Sequence, residues 1–425
     1  MTGVLEDLRC LFINSGVLSM DQGKMEQDSD SLCEEKFMEG LREVVLDAAS
    51  RCRSCNSCFT ICPVFESTRG FMSQTPSGIM QSITYAIKWD LFEGEEKETL
   101  RDLLYLCTTC NGCVLRCKSK SSGVPVLDAI EAGRKILREM MIGPLPAQRK
   151  PMKDIYAHGN PYGERPEGRL DWLGGLEVKR LPQENAAAMY YVGCTTAYEP
   201  SLHTLGRSLI RLFQYFGIDF GVLEREICCG EPARRMGDEA FFQELAERNI
   251  SQFREAGIKT IITTSPHCFN VFANEYPSLK GEFEIQHYTQ FLAHLFKEKK
   301  PTFKKESHRT VAYHDPCYLG KHNQIFDPPR ELLEMVPGVK LVEMRMTRDE
   351  SLCCGGGGAR MFAEMEEERR LSDMRVGQAL EVGADVLATA CPWCHSMLHT
   401  SVQDLHLMDK IRVMDVAEIL NESLQ

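Results

Sequence analysis

Apolar residues fall three and four positions apart through much of the first third of the chain, the mark of helices that bury one face. The stretch through Ile79, Met80, Ile83, Tyr85, Ala86 and Ile87 predicts such a helix, with Ser77 as its cap. Residues 95–106 and 126–141 predict two more, the second carrying Leu127, Ile130, Ala132, Ile136 and Met140. A short helix is expected near residues 34–49, at the end of an acidic, polar arm spanning 1–45. The pattern then breaks: residues 143–186 hold Pro144, Pro146, Pro151, Pro161, Pro166 and Pro182, and proline lacks the donor that regular elements need. This segment reads as a connector without regular structure, with a turn at Asn160-Pro161-Tyr162-Gly163.

Beyond residue 187 the period changes. Short β-branched runs alternate with amphipathic stretches such as 240–256 and 369–382, which predicts parallel sheets covered by helices on both faces. The stretch also repeats itself. Residues 188–194 match 310–317, Cys228-Cys229-Gly230 matches Cys353-Cys354-Gly355, and the run ending at Cys268 matches the run ending at Cys394, at offsets of 123, 125 and 126 residues. The expected architecture is an all-α domain over 46–142, the connector 143–186, and two tandem α/β repeats over 187–300 and 308–425. In each repeat the cysteines stand where strands end, the usual place for sites in such sheets.

At 425 residues the chain has room for about three domain cores, and 43% hydrophobic with 26% charged residues is ordinary for soluble protein. A net charge of −12 without a basic run argues against a nucleic-acid partner. No apolar stretch approaches the roughly 18 to 20 residues that span a bilayer. Glu6, Asp7, Asp21 and Glu26 leave no secretory signal pattern in the first thirty residues. A cytoplasmic protein is expected, reaching a membrane only through a partner, and its nineteen cysteines read as metal-binding thiolates, not disulfides.

Seventeen of them fall in four clusters, leaving Cys10 and Cys33 as free thiols of the arm. Cys52, Cys55, Cys58 and Cys62-Pro63 have the spacing that wraps three corners of a 4Fe-4S cubane and lends the fourth thiolate to a neighbouring cluster. Cys107, Cys110, Cys113 and Cys117 repeat that spacing, with Lys118 in place of the proline. The crossover logic assigns Cys52, Cys55, Cys58 and Cys117 to one cubane and Cys107, Cys110, Cys113 and Cys62 to the other. The second repeat holds five cysteines: Cys317, Cys353, Cys354, Cys391 and Cys394. Five is one too many for tetrahedral zinc, whereas a multinuclear iron-sulfur centre uses such a set naturally.

Cys391-Pro392-Trp393-Cys394-His395 also fits haem c attachment or a thioredoxin-like pair, but neither uses the other three cysteines. Gly355, Gly356 and Gly357, in a run of four, resemble a phosphate cradle, yet their place after the cysteine pair favours backbone N–H contacts to cluster sulfurs. His267, His314 and His395 lie within three residues of these cysteines. His314 and His395 are candidate proton donors to a departing thiolate. Arg360 and Lys321 read either as anion-steering groups or as solvated surface.

Two ferredoxin-type motifs joined to two CCG repeats resemble the D subunit of heterodisulfide reductase and its relatives. These include the iron-sulfur subunits of glycerol-3-phosphate, glycolate and lactate dehydrogenases, the sulfite-reduction-linked K subunit, and electron-transfer-flavoprotein-linked proteins. The resemblance covers 46–425 and implies a noncubane 4Fe-4S cluster on Cys317, Cys353, Cys354, Cys391 and Cys394. In that family two such clusters cleave a disulfide between two thiol cofactors, fed one electron at a time by the cubanes. The first repeat departs from the pattern: Cys194, Cys228, Cys229 and Cys268 match, but Ser265 stands where a fifth cysteine belongs. That site is left to hold a cubane, to use the serine oxygen, or to be degenerate.

The resemblance implies an iron-sulfur component of an anaerobic oxidoreductase complex, partnered by a flavoprotein, a b-type cytochrome or a dehydrogenase, with a thiol or disulfide as substrate. The alternative is a relay between a flavoprotein and a membrane quinone pool, and a third reading is a zinc-stabilised scaffold.

Overall fold

The computed structural model describes residues 25–68, 70–119, 123–365 and 367–424. Residues 1–24 of the expected arm, Cys10 among them, lie outside these ranges. The helix expected near 34–49 is longer than that stretch. A helix runs over Met25–Arg51 and packs along the helix Val126–Glu139. Leu41, Val45 and Ala48, four and three apart, form the buried stripe that docks it into a core with Ile83, Leu104, Ile130 and Ile136.

The helix at Pro76–Trp89 starts two residues earlier than Ser77 would set it. Thr75 is the cap, its Oγ1 accepting from Gly78 N at 3.0 Å, because Pro76 occupies the first helical position, where a missing N–H is harmless. Ser77 instead donates to Asn56 Oδ1 at 3.0 Å and so anchors the first cysteine loop. Helix Glu96–Tyr105 completes this all-α domain.

The proline-rich connector is more regular than proline density suggests. A helix forms over Arg149–His158, with Pro151 in the first turn, where backbone N–H groups have no intrahelical acceptor. The turn after it is present: Asn160 Oδ1 accepts from Tyr162 N and Glu164 N at 3.1 and 3.2 Å. The connector then supplies strand β1 (Lys179–Leu181), an edge position that tolerates Pro182 directly after it.

The first repeat contributes β2 (Ala188–Tyr191), β3 (Phe220–Leu223), β4 (Thr260–Thr263) and β5 (Glu284–His287). The second contributes β6 (Arg309–Tyr313), β7 (Val339–Val342), β8 (Val386–Thr389) and β9 (Arg412–Asp415). All strand pairs are parallel, in the orders β1-β3-β2-β4-β5 and β7-β6-β8-β9. Apart from the added β1, the two sheets are therefore the same arrangement used twice.

The repeats exchange helices across their interface. Helix Val416–Leu424 of the second packs on His203–Tyr215 of the first, and Tyr288–Lys299 of the first packs on Asp327–Glu334 of the second. One continuous apolar core results, running from Tyr190 and Val222 through Leu292 to Val311, Ala388 and Leu420. Tyr288 OH donates to Asp415 across this seam. The sharing fixes the ends of the strands, and hence the cysteines, relative to one another.

Candidate functional site

The two ferredoxin-type loops adopt the same unusual backbone. Ser54 and Asn56 in the first, and Thr109 and Asn111 in the second, have φ of 49°, 58°, 50° and 63°. Alternating left-handed residues curl each loop tightly enough to turn its cysteines inward, and asparagine tolerates that conformation. Cys62, Cys107, Cys110 and Cys113 line one buried cavity with Pro63, Ile79 and Leu127. These are the four thiols that the crossover spacing groups together. Cys52, Cys58 and Cys117 pack against the helical core, while Cys55 is exposed.

At the carboxyl ends of β6 and β8, Cys317, Cys353, Cys354, Cys394 and Cys391 stand in a row of S–H···S contacts in that order. All five are buried. The contact with Cys353 pushes the Cys317 thiol up, and contacts from both neighbours hold Cys353 down. Burial alone would raise Cys391, but Cys394 and His267 outweigh it and hold it at about 5. In the first repeat Cys194, Cys228, Cys229 and Cys268 form the corresponding row. Ser265 lines the same pocket, yet its Oγ accepts from His267 N at 3.3 Å and caps the helix Pro266–Asn270.

The two repeats share a wall. Trp393 Nε1 donates to Thr195 Oγ1 at 2.7 Å. His267 lies between the rings of Tyr318 and Trp393, each 4.2 Å from its centroid. Its Nδ1 meets Glu231 Oε1 at 3.0 Å; burial alone would depress this imidazole, but Glu231 raises it to about 9, so at neutral pH it donates to both Glu231 and Cys391. The first repeat thus supplies a hydrogen bond to the second repeat's thiol row.

The helical domain closes on the second repeat directly. Cys110 shares a buried apolar cluster with Cys317, Tyr318 and Cys353. Thr109 Oγ1 and Tyr318 OH are 2.9 Å apart, His322 Nε2 donates to Thr109 O at 2.8 Å, and Asn111 Nδ2 donates to Lys321 O at 3.2 Å. The glycine run serves this junction more than the sulfurs. Gly355 N does donate to Cys353 Sγ at 3.4 Å, but Gly356 lies against Met397. A Cβ on Gly357 would stand 2.3 Å from Thr108 O, so glycine lets the two loops meet.

Other expectations need correction. Arg360 and Lys321 are neither solvated nor free to steer an anion. Arg360 donates to Leu106 O at 2.8 Å and pairs with Glu367, and Lys321 Nζ donates to Ser351 O at 2.7 Å, both side chains buried. His314 has a ligand atom within 4.8 Å of those of Cys354 and Cys394, but burial and Arg375 push its pKa well below 6.5. Arg375 Nε donates to its Nδ1 at 3.0 Å, which, with the lowered pKa, favours the neutral ring. His395 is depressed to about 4 by burial and turns into a different cavity, with His399, Arg412 and Glu418.

Glu418 lines that cavity, which holds about 310 Å³ between the repeats. Burial lifts its carboxyl to about 7 from 4.5. A raised folded-state value means stability that is full below pH 4.5 and lost as pH climbs through 7. Glu418→Gln keeps the acceptor for Asp415 N and should leave stability at pH 5 nearly unchanged while adding about 2 to 3 kcal/mol at pH 8. Anaerobic urea unfolding at the two pH values checks this, and equal gains at both would refute it.

The donor set fits iron-sulfur chemistry. The eighteen cysteines among the described residues are all free thiols, and His314 Nε2 is buried without a partner beside the second thiol row. Residues 188–273 and 311–399 match the cysteine-rich (CCG) domain family, and 48–121 match the 4Fe-4S dicluster domain family. The chain is 36% identical to the probable iron-sulfur-binding oxidoreductase FadF of Bacillus subtilis, over 76% of this chain and 46% of that protein. It is 32% identical to the EtfAB:quinone oxidoreductase of Syntrophomonas wolfei, over 79% and 48%. The chain spans about half the length of these two relatives. Against the D subunit of the dihydromethanophenazine:CoB--CoM heterodisulfide reductase of Methanosarcina barkeri it is 32% identical over 90% of this chain and 96% of that one.

The chain belongs to the heterodisulfide reductase D-subunit family of CCG-domain iron-sulfur oxidoreductases. A crystal structure of a hypothetical protein from Helicobacter pylori shares the fold, with a TM-score of 0.51 at 9% identity over 82% of this chain and 68% of that one. The matched 4Fe-4S dicluster and cysteine-rich domains make iron-sulfur clusters the cofactors of this family. Among the described residues no helix is long and apolar enough to cross a membrane. Sequence reasoning missed Glu231, Trp393 and Tyr318 as cross-repeat contacts, because nothing in one repeat marks a side chain that serves the other. It also missed Arg134, for which a signal existed: it stands four after Ile130 and three before Leu137, on the apolar stripe of its helix.

Proposed function

We propose that this chain is the iron-sulfur component of a larger oxidoreductase. It would pass electrons through two 4Fe-4S cubanes, on Cys52, Cys55, Cys58 and Cys117 and on Cys62, Cys107, Cys110 and Cys113. They would go to or from a noncubane 4Fe-4S cluster on Cys317, Cys353, Cys354, Cys391 and Cys394. The observation that carries this reading is the buried contact of Cys110 with Cys317 and Cys353, which sets the second cysteine loop against the five-thiol row. Exposure falls along the same line, from Cys55 at the surface to Cys353 at 3%. A partner flavoprotein, b-type cytochrome or dehydrogenase would meet the chain at the Cys55 end, on the cytoplasmic side of any membrane that partner occupies.

Bound there, the noncubane cluster would supply one-electron steps for thiol/disulfide chemistry, a disulfide taking two electrons and two protons to give two thiols. The chain's own residues shape that site: Trp393 and Thr195 hold its wall, and His267 directs an N–H at Cys391. Ser265 favours a second reading, in which the first repeat holds only a four-thiol centre and the chain relays electrons between a flavoprotein and a quinone pool without a substrate of its own.

Anaerobically purified protein should be brown and contain iron and acid-labile sulfide. Addition of a thiol at oxidising potential should then produce a new paramagnetic signal, which Cys353→Ala abolishes. Fast exchange with a reduced flavoprotein and no thiol-dependent signal would favour the relay. Absence of iron and sulfide would leave only the zinc scaffold. Gain of a second noncubane signal in Ser265→Cys would show that the first pocket lost just one ligand.

A further inference from the structure

Buried cations in this chain are of two kinds. Around the first CCG site they are neutralised by carboxylates: Arg169 by Glu226, Arg235 by Glu131 and Glu275. Around the junction between the Cys107 loop and the second CCG site Arg360 pairs with Glu367 and Arg330 with Asp315, but three other buried cations are not neutralised in this way. Arg134, Lys321 and Arg375 are 0%, 2% and 0% exposed, and among the described residues none of them forms an ion pair with a carboxylate.

Each of the three touches the framework of the thiol sets. Arg134 donates to Cys107 O at 2.6 Å and to Gly358 O at 3.2 Å, and also to the carbonyls of Leu104 and Arg235. Lys321 donates through Nζ to Ser351 O, two residues before Cys353, and through its backbone N–H to Cys317 O at 2.8 Å. Arg375 reaches Cys354 and Cys394 through His314. Carbonyl oxygens satisfy the hydrogen bonds of these groups but not their charge, and an unneutralised buried charge is strongly unfavourable. Anions must lie close by, and the thiolate-ligated centres on either side of the junction are the anions that this chain's ligands provide.

We infer that Arg134, Lys321 and Arg375 form a cationic cradle that favours the reduced state of the Cys62, Cys107, Cys110 and Cys113 centre and of the second CCG centre, so that electrons collect at this junction. The inference rests on the assignment of these thiols to iron-sulfur centres made above. Reduction adds one electron and one negative charge to a centre, breaks no bond, and takes its electron in the test from dithionite. The centre at the exposed Cys55 end and the centre of the first repeat lack such a cradle among the described residues, so they should be harder to reduce.

The test is a dithionite titration of the full-length anaerobic protein followed by paramagnetic resonance. Arg134→Met should make the Cys107-loop centre about tenfold harder to reduce at a given potential, or about 59 mV lower for a one-electron couple. The Cys55-end centre should not move, and Arg134→Lys should restore most of the shift. Lys321→Met gives up a single side-chain hydrogen bond and should lower the midpoint of the second CCG centre, which keeps the test open if Arg134→Met does not accumulate. Unchanged midpoints in both variants would overturn the cradle, as would Arg134→Lys behaving like Arg134→Met. Loss of every signal in the wild-type protein would instead overturn the assignment of the centres.

Discussion

Arg235→Ala is expected to destabilise the protein by about 3 to 5 kcal/mol, the cost of leaving buried carboxylates without their cation. Arg235 is 4% exposed and joins all three parts of the chain. From its place in the first repeat it reaches Glu131 of the helical domain at 3.0 Å, Glu275 of its own repeat, and Tyr318 OH of the second repeat at 3.0 Å. Its guanidinium also lies 5.7 Å over the Tyr318 ring. Among the described residues, the ion pairs then left to Glu131, Glu231 and Glu275 are Arg234 with Glu275 and His267 with Glu231. A loss of that size is a large share of the roughly 5 to 15 kcal/mol that holds a domain folded. Anaerobic urea unfolding should show it, with Arg235→Lys intermediate. A midpoint within error of wild type would mean that the three parts dock by apolar packing alone.

Gly358→Ala should be more damaging than alanine at Gly355 or Gly356. Gly358 has φ of 65°, and a Cβ there would stand 2.5 Å from Cys107 O and 3.1 Å from an Arg134 nitrogen. Left-handed backbone costs an alanine about 1 to 2 kcal/mol and overpacking about 1 to 3 kcal/mol more, so about 2 to 5 kcal/mol is expected. Gly355→Ala carries only the backbone penalty, since its nearest neighbour is the Leu371 Cβ at 3.3 Å, and Gly356→Ala meets the flexible Met397 side chain. The order Gly356, Gly355, Gly358 in unfolding energies, with slowed reduction of the second CCG centre only in Gly358→Ala, would confirm that this glycine sets the approach of the two loops. Equal effects at all three positions would exclude it.

The clustering of the thiols was legible because their spacing is set by local chain geometry. The 2-2-3 spacing fixes a loop, and the matching offsets of the CCG repeats fix two copies of one sheet, whose strand order β3-β2-β4-β5 recurs as β7-β6-β8-β9. What lies between units was not legible. Pro151 and Pro182 suggested irregular chain, yet proline is harmless in a helix's first turn and beside an edge strand, so a helix and β1 form there. Thr75 displaced Ser77 as a cap because Pro76 fixes where the helix begins. His314 and His395 looked like ordinary histidines; Arg375 and burial, neither visible in the spacing, make them neutral.

The seating of Thr108 on Gly357, with Thr109 tied to Tyr318 and His322, also bears on biogenesis. The second CCG thiols are at most 6% exposed once the helical domain is seated over them. If the five-thiol row takes up iron and sulfide as proposed, the delivering machinery would have to reach it before that domain docks. Loading would then precede docking of the helical domain, even though that domain comes before the repeat in the chain.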